Sequence, residues 1–195
     1  MFIVTLIIQN KIRQAGCGNW RNVSTNFRTT SKAENKRTCQ ILKTKFIMKL
    51  IAKATIQIQK PIEEVFEGIV NPEKMTKYFI SESSGRLETG KELTWKFPEF
   101  PDEYPVKEIK IETNRSVSFV WDEEKETIVS ITLEAQPDKS TVVKVTTDGK
   151  TNNEDNLKWV IGNTEGWANF LACMKAYLEY GIQLRKGAFD FMRKN

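Results

Sequence analysis

The segment from Asn152 to Gly181 constrains this chain more than any other, because it reads as one long amphipathic helix that follows a succession of short alternating strands. At about 100° per residue, Trp159, Val160, Trp167, Phe170, Leu171, Met174, Tyr177 and Leu178 fall within one broad arc, with Lys158, Glu165, Asn169 and Glu179 opposite. Two Trp, a Phe and a Tyr present far more apolar area than a narrow helical seam covers. At roughly 25 cal/mol per Å² such a face needs a wide partner, and a sheet wrapped around the helix supplies one.

The strands that would build this sheet begin near Met48. Leu50, Ala52, Ala54, Ile56 and Ile58 alternate with Ile51, Lys53, Thr55, Gln57 and Gln59, the period of a half-buried strand. Pro61 then opens a helix, where its missing N–H costs nothing, with Glu63 and Glu64 near the positive end of the dipole and Val65, Phe66 and Ile69 on its apolar side. Asn71 and Pro72 end it and start a second short helix, which Asn71 can cap and in which Met75, Tyr78 and Phe79 point inward.

Five more strands follow Gly85. Leu93, Trp95 and Phe97 share a face of the first, which ends at Pro98; the three prolines between Pro98 and Pro105 mark a loop or edge. Val106 to Ile111 forms an irregular strand, and Val117, Phe119 and Trp121 alternate cleanly. Asp122 to Glu126 makes a charged connection, read as a solvated turn or a face for a basic partner. Val129, Ile131 and Leu133 alternate before the turn at Gln136, Pro137 and Asp138, and Val143, Val145 and Thr147 close the series. Short turns between them imply an antiparallel meander.

The chain's 195 residues, 39% of them hydrophobic, allow one ordinary globular domain, expected over 48–195. The net charge of +5 is misleading: residues 1–47 carry nine of the 30 bases and one of the 25 acids, leaving 21 bases and 24 acids after them. The basic character belongs to a leader, and the expected domain is mildly acidic. A nucleic-acid surface needs bases clustered on a folded face, so nucleic-acid binding is not expected. The leader lacks the apolar area to offset its ordering and is expected to be disordered. Its origin stays open between an organelle transit peptide, a lipoprotein signal ending at Ala15, Gly16 and Cys17, and sequence upstream of a true start at Met48. Phe2 to Ile8 is too short to span a bilayer that needs about 20 residues, so no membrane partner is expected.

Little in the composition supports catalysis. The chain has no His, so Ser-His and Cys-His pairs and His-metal sites are unavailable, and neither a metal nor another cofactor is expected. Cys17, Cys39 and Cys173 lack CxxC spacing, and Cys173 reads as a structural thiol. No phosphate-binding glycine loop is present. Acid–base chemistry by Glu, Asp or Tyr in a closed cavity remains open, but no carboxylate is singled out, and the chain is read as a non-enzyme. The aromatics Phe79, Trp95, Phe97, Phe119, Trp121, Trp159, Trp167 and Phe170, with Met174, either line a ligand pocket or fill it. Asn163 is the polar exception in the middle of the apolar arc, with Asn156 close by. A buried amide left unpaired costs roughly 1 to 3 kcal/mol, so Asn163 needs a partner in backbone, water or ligand.

The order strand, two short helices, five strands and long helix, with Lys60-Pro61-Ile62-Glu63-Glu64-Val65-Phe66, Asn71-Pro72-Glu73, Tyr78-Phe79, Gly166-Trp167, Phe170-Leu171, Leu178-Glu179 and Gly181, resembles the START and birch-pollen-allergen (SRPBCC) superfamily. Within it the chain is most similar to the activator of heat-shock protein 90 ATPase homologue family, over residues 49 to about 182. Tyr78 departs from the Trp that many relatives carry, at a position read as packing.

The resemblance implies an α+β helix-grip fold: a curved antiparallel sheet of about six strands around the C-terminal helix, with a cavity that in relatives often holds an apolar molecule. The expected function is therefore a cytoplasmic module binding a small apolar or aromatic molecule, oriented by Asn163. The alternative is a co-chaperone that stimulates a heat-shock protein 90 ATPase.

Overall fold

A computed structural model describes residues 49–120 and 127–193. The expected order of elements is present in it. β1 (Lys49–Ile58) leads through Pro61 into α1 (Ile62–Val70) and α2 (Pro72–Met75), and the short β2 (Glu82–Ser83) follows. Then come β3 (Leu93–Lys96), β4 (Glu103–Glu112), β5 (Ser116–Val120), β6 (Ile128–Ala135) and β7 (Thr141–Thr151), the long α3 (Glu154–Tyr180), and a 3₁₀ turn at Asp190–Met192. The leader, Trp121 and the Asp122 to Glu126 connection lie outside the described residues.

The strands form one antiparallel sheet in the order β1-β7-β6-β5-β4-β3-β2. Strands β2 to β7 are a meander, and β1 returns to pair with β7, Ala54 opposite Val145 and Ile56 opposite Val143. The sheet thus has seven strands where about six are expected from sequence. The extra one is β2, whose two residues pair with Trp95 and Lys96 and are too few to show a period.

The stretch from Pro98 to Pro105, read as a loop or edge, is a connection that runs into a strand. β4 starts at Glu103 and contains Pro105, opposite Thr94 of β3. The described pairs between β4 and β5 begin at Lys107, so Pro105 is registered here against β3. The irregularity read over Val106 to Ile111 is a bulge: the register shifts between Lys107 and Lys110, and Glu108 between them has φ 52°.

Alternation along the strands sends Val117 and Phe119, Val129, Ile131 and Leu133, and Val143 and Val145 into one core with Val65, Phe66 and Ile69 of α1. α3 adds Trp167, Phe170, Leu171, Met174 and Leu178 to it. Its ends are set by local chemistry. The Asn153 side chain accepts a hydrogen bond from the Asn156 backbone N–H at 2.8 Å, and Asn156 Nδ2 in turn donates to the Thr151 carbonyl at 2.8 Å. At the other end Gly181 takes the left-handed conformation, φ 68°, that closes helices. Asn153→Ala should therefore cost about 1 kcal/mol in urea unfolding; an unchanged midpoint would show that the cap is dispensable.

One residue of the polar arc behaves differently from its expected solvated position. The Glu179 side chain is 5% exposed. It accepts the Gln59 backbone N–H at 2.6 Å and pairs with Lys175, tying the end of α3 to the end of β1. Burial pushes its carboxyl up, but these hydrogen bonds outweigh that and hold it below the ordinary carboxylate range. No helix among the described residues is long and apolar enough to cross a membrane.

Candidate functional site

Between sheet and helix the interior is filled by aromatic rings. Trp95 meets Phe119 edge-to-face at 5.3 Å, Phe170 meets Phe79 at 4.6 Å, and Trp167 meets Phe170 at 5.5 Å. Trp159, Trp167, Phe119 and Met174 are all at most 2% exposed. The Trp167 indole N–H donates to Thr147 Oγ1 of β7 at 2.7 Å, and the Tyr78 hydroxyl donates to the Gly68 carbonyl at 3.0 Å. Asn163 is buried, and its amide Nδ2 donates to the Trp159 carbonyl one turn earlier, at 3.1 Å. Its donor is thus engaged within the helix, one of the alternatives open from sequence.

Open space occurs at one end of this interior, where the β3–β4 connection faces the middle of α3. A cleft of about 70 Å³ lies there, walled by Phe79, Phe97, Phe100, Phe189 and Met192, with Glu165 and Asn169 of α3 at its polar side. Of the residues singled out by sequence, Phe79 and Phe97 line it. Trp95, Phe119, Trp159, Asn163, Trp167, Phe170 and Met174 are buried away from its lining. A groove of about 250 Å³ shares Phe79 and Arg185 with the cleft and continues past Thr76, Ser81 and Lys186.

The segment after Gly181 forms one wall of both, which sequence reasoning missed. Arg185 reaches inward: its guanidinium carbon lies 5.4 Å from the Phe79 ring centre, 5.8 Å from Phe97 and 4.8 Å from Phe189. Its Nη2 donates to Glu99 Oε2 at 2.6 Å, and the two side chains are 13% and 4% exposed. Among the described residues, Arg185 Nε is buried without a hydrogen-bond partner, as is the Tyr104 hydroxyl, whose ring packs on Phe97 at 5.5 Å. Burial, with a smaller contribution from Asp102, pushes the Tyr104 hydroxyl up to about 12, so it holds its proton. Burial also pushes the Cys173 thiol up, and that residue is 4% exposed. Among the described residues, no group of three or more His, Cys, Asp or Glu side chains is placed to hold a metal ion.

Residues 59–179 match the family model described as Activator of Hsp90 ATPase homolog 1-like protein, which covers well over half of the chain. The chain belongs to this family. Among solved structures it is similar to a Staphylococcus saprophyticus protein at 33% identity, covering 70% of this chain and 96% of that one, with a TM-score of 0.62. A Cytophaga hutchinsonii protein is 27% identical, covering 69% and 97%, with a TM-score of 0.53. The Aha1 dimer of Colwellia psychrerythraea, at 22% identity, 68% and 98% coverage and a TM-score of 0.58, shares the fold. No curated protein matches the chain. The matched family region ends at α3, so Arg185 and Phe189 lie beyond it while the rings they pack on, Phe79 and Phe97, lie within.

Proposed function

We propose that this member of the Activator of Hsp90 ATPase homolog 1-like family is a non-catalytic binding module for a small molecule with an apolar or aromatic body. The observation that carries the reading is the aromatic cleft between the β3–β4 connection and α3, an apolar mouth with a few polar groups at its side. An apolar cavity of about 150 Å³ accommodates a benzene ring. At about 70 Å³ the cleft is smaller, so the ligand gains its space by displacing Phe189 and Met192 of the C-terminal segment.

Native against denaturing mass spectrometry of the full chain, purified gently from its own source, tests this. A small-molecule mass present only under native conditions is expected, and Phe97→Ala should lose it. A bare chain that also fails to bind millimolar naphthalene or indole by ligand-observed NMR would overturn the reading.

The family description supports a second reading, stimulation of an Hsp90-type ATPase, and one surface feature favours it. Leu157 and Ile161, one turn apart on α3, are 48% and 59% exposed, an apolar pair that a protein partner would cover. Stimulation of a purified Hsp90 ATPase by the full chain, lost in a Leu157→Ser/Ile161→Ser variant, would favour this reading over small-molecule binding.

A further inference from the structure

Glu99 lies in the connection between β3 and β4 with its side chain 4% exposed. A carboxylate so withdrawn from water needs a cation close by. The body of the domain places two aromatic faces beside it, Phe79 and Phe97, and these also line the cleft. The cation comes from outside that body: Arg185, four residues past the helix cap, lays its guanidinium near both rings and donates to the carboxylate at 2.6 Å. With Arg185 withdrawn, what remains is a carboxylate flanked by aromatic faces at the edge of an apolar cleft. That set of groups recognises an organic cation through charge-assisted hydrogen bonding and ring contact together.

The occupant's own fit is incomplete. Arg185 Nε is buried with no acceptor among the described residues, a loss that a better-matched group would avoid. The segment also turns Ile182, Leu184 and Phe191 to solvent at 54%, 50% and 81% exposure, so much of its apolar surface gains nothing from the docked position. Its backbone hydrogen bonds from Lys186 onward are short-range, such as Lys186 N–H to the Gln183 carbonyl and Ala188 N–H to the Arg185 carbonyl, and they can be kept when the segment lifts. From these observations we infer that Glu99, Phe79 and Phe97 form a receptor for an ammonium or guanidinium group on an apolar body, which Arg185 occupies in cis, so that the C-terminal segment competes with the ligand. This rests on the proposal that the cleft binds small molecules, and it supplies the charge of that ligand and the element that regulates its access.

Competition in cis lowers apparent affinity by the fraction of receptor left free, so removing the occupant should raise it. Calorimetric titration of the full chain would compare phenethylguanidinium, its neutral counterpart phenethylurea and the anion 3-phenylpropionate. Arg185→Ala should bind phenethylguanidinium about ten-fold or more tighter than the parent, with a clearly smaller gain for phenethylurea, which profits only from the loosened segment, and adding Glu99→Gln should remove the difference between the two. Phe189→Ala leaves Glu99 paired and loosens the segment; a smaller gain for the same cation keeps the inference testable if Arg185→Ala does not fold. An equal gain for phenethylurea would overturn the cation receptor while leaving an apolar binding cleft. Binding of 3-phenylpropionate to the parent and its loss in Arg185→Ala would overturn it too, by making Arg185 the reader of an anion. Failure of all three probes on every folded variant would remove the binding reading along with the inference.

Discussion

Trp167→Ala should destabilise the domain by about 3 to 5 kcal/mol, the largest loss expected from a single side chain. Trp167 is 1% exposed in the middle of α3, where its ring meets Phe170 edge-to-face, so truncation would open a cavity that the sheet beneath cannot collapse to fill. It also carries a polar tie. The indole N–H donates to Thr147 Oγ1 of β7, and Thr147 is fully buried. Trp167→Phe separates the two contributions, since it keeps most of the packing and removes the donor. Its expected cost is about 1 to 3 kcal/mol, reflecting a smaller ring and a hydroxyl that has lost this donor. Urea unfolding with an unchanged dependence on denaturant would report both values. A Trp167→Ala variant within about 1 kcal/mol of the parent would show that α3 is not fastened to the sheet at this point.

The fold was legible in the sequence because most of its elements carry a local signal. Ala52 to Ile58, Val129 to Leu133 and Val143 to Thr147 alternate with period two, and all three become sheet strands with that face packed on the core, Ala54 and Ile56 only partly buried. Asn71 and Asn153 precede their helices and cap them, Asn71 accepting the Glu73 N–H at 2.9 Å. The departures fall where local signals are weak or conflicting. Pro105 argues against a strand interior, yet it lies near the start of β4, opposite Thr94 of β3. Glu179 lies on the polar side of the helical wheel, and only the three-dimensional meeting of α3 with β1 withdraws it from water.

The candidate site was legible in half. Phe79 and Phe97 fall on the inward faces of their segments, and both reach the cleft. The other aromatics carry the same signal, because a ring that fills a cavity and one that lines it have the same periodicity; only packing distances such as the 5.3 Å between Trp95 and Phe119 tell them apart. Arg185 and Glu99 gave no signal at all. They lie 86 residues apart in a chain with 30 bases and 25 acids, and the segment around Arg185 has no hydrophobic period to orient it. Asn163 stood out because it interrupts the apolar arc, but an amide in a helix has the carbonyl four residues earlier within reach, and here it donates to that of Trp159.

The Glu99–Arg185 pair should show strong non-additivity. Breaking a buried ion pair from one side leaves an uncompensated charge and costs about 3 to 5 kcal/mol, whereas replacing both members by apolar groups of similar volume is often neutral. Glu99→Leu would leave Arg185 among the rings of Phe79, Phe97 and Phe189 without its carboxylate, and Arg185→Leu would leave Glu99 in the same apolar mouth without its cation. Because the segment beyond Gly181 can lift and let water reach either charge, each single variant is expected below that range, at about 1.5 kcal/mol, with the loss shared between global stability and local opening. The double variant should recover most of it, leaving a coupling energy of about 2 kcal/mol in a double-mutant cycle. Hydrogen exchange distinguishes where the loss goes. If the pair latches the segment, amides of residues 186–193 lose protection in either single variant and regain it in the double, while those of β6 and β7 change only with global stability. Strictly additive single variants with unchanged exchange at the C terminus would mean that the guanidinium, carboxylate and rings do not act as one unit, and a segment so weakly tied could not compete with a ligand for the cleft.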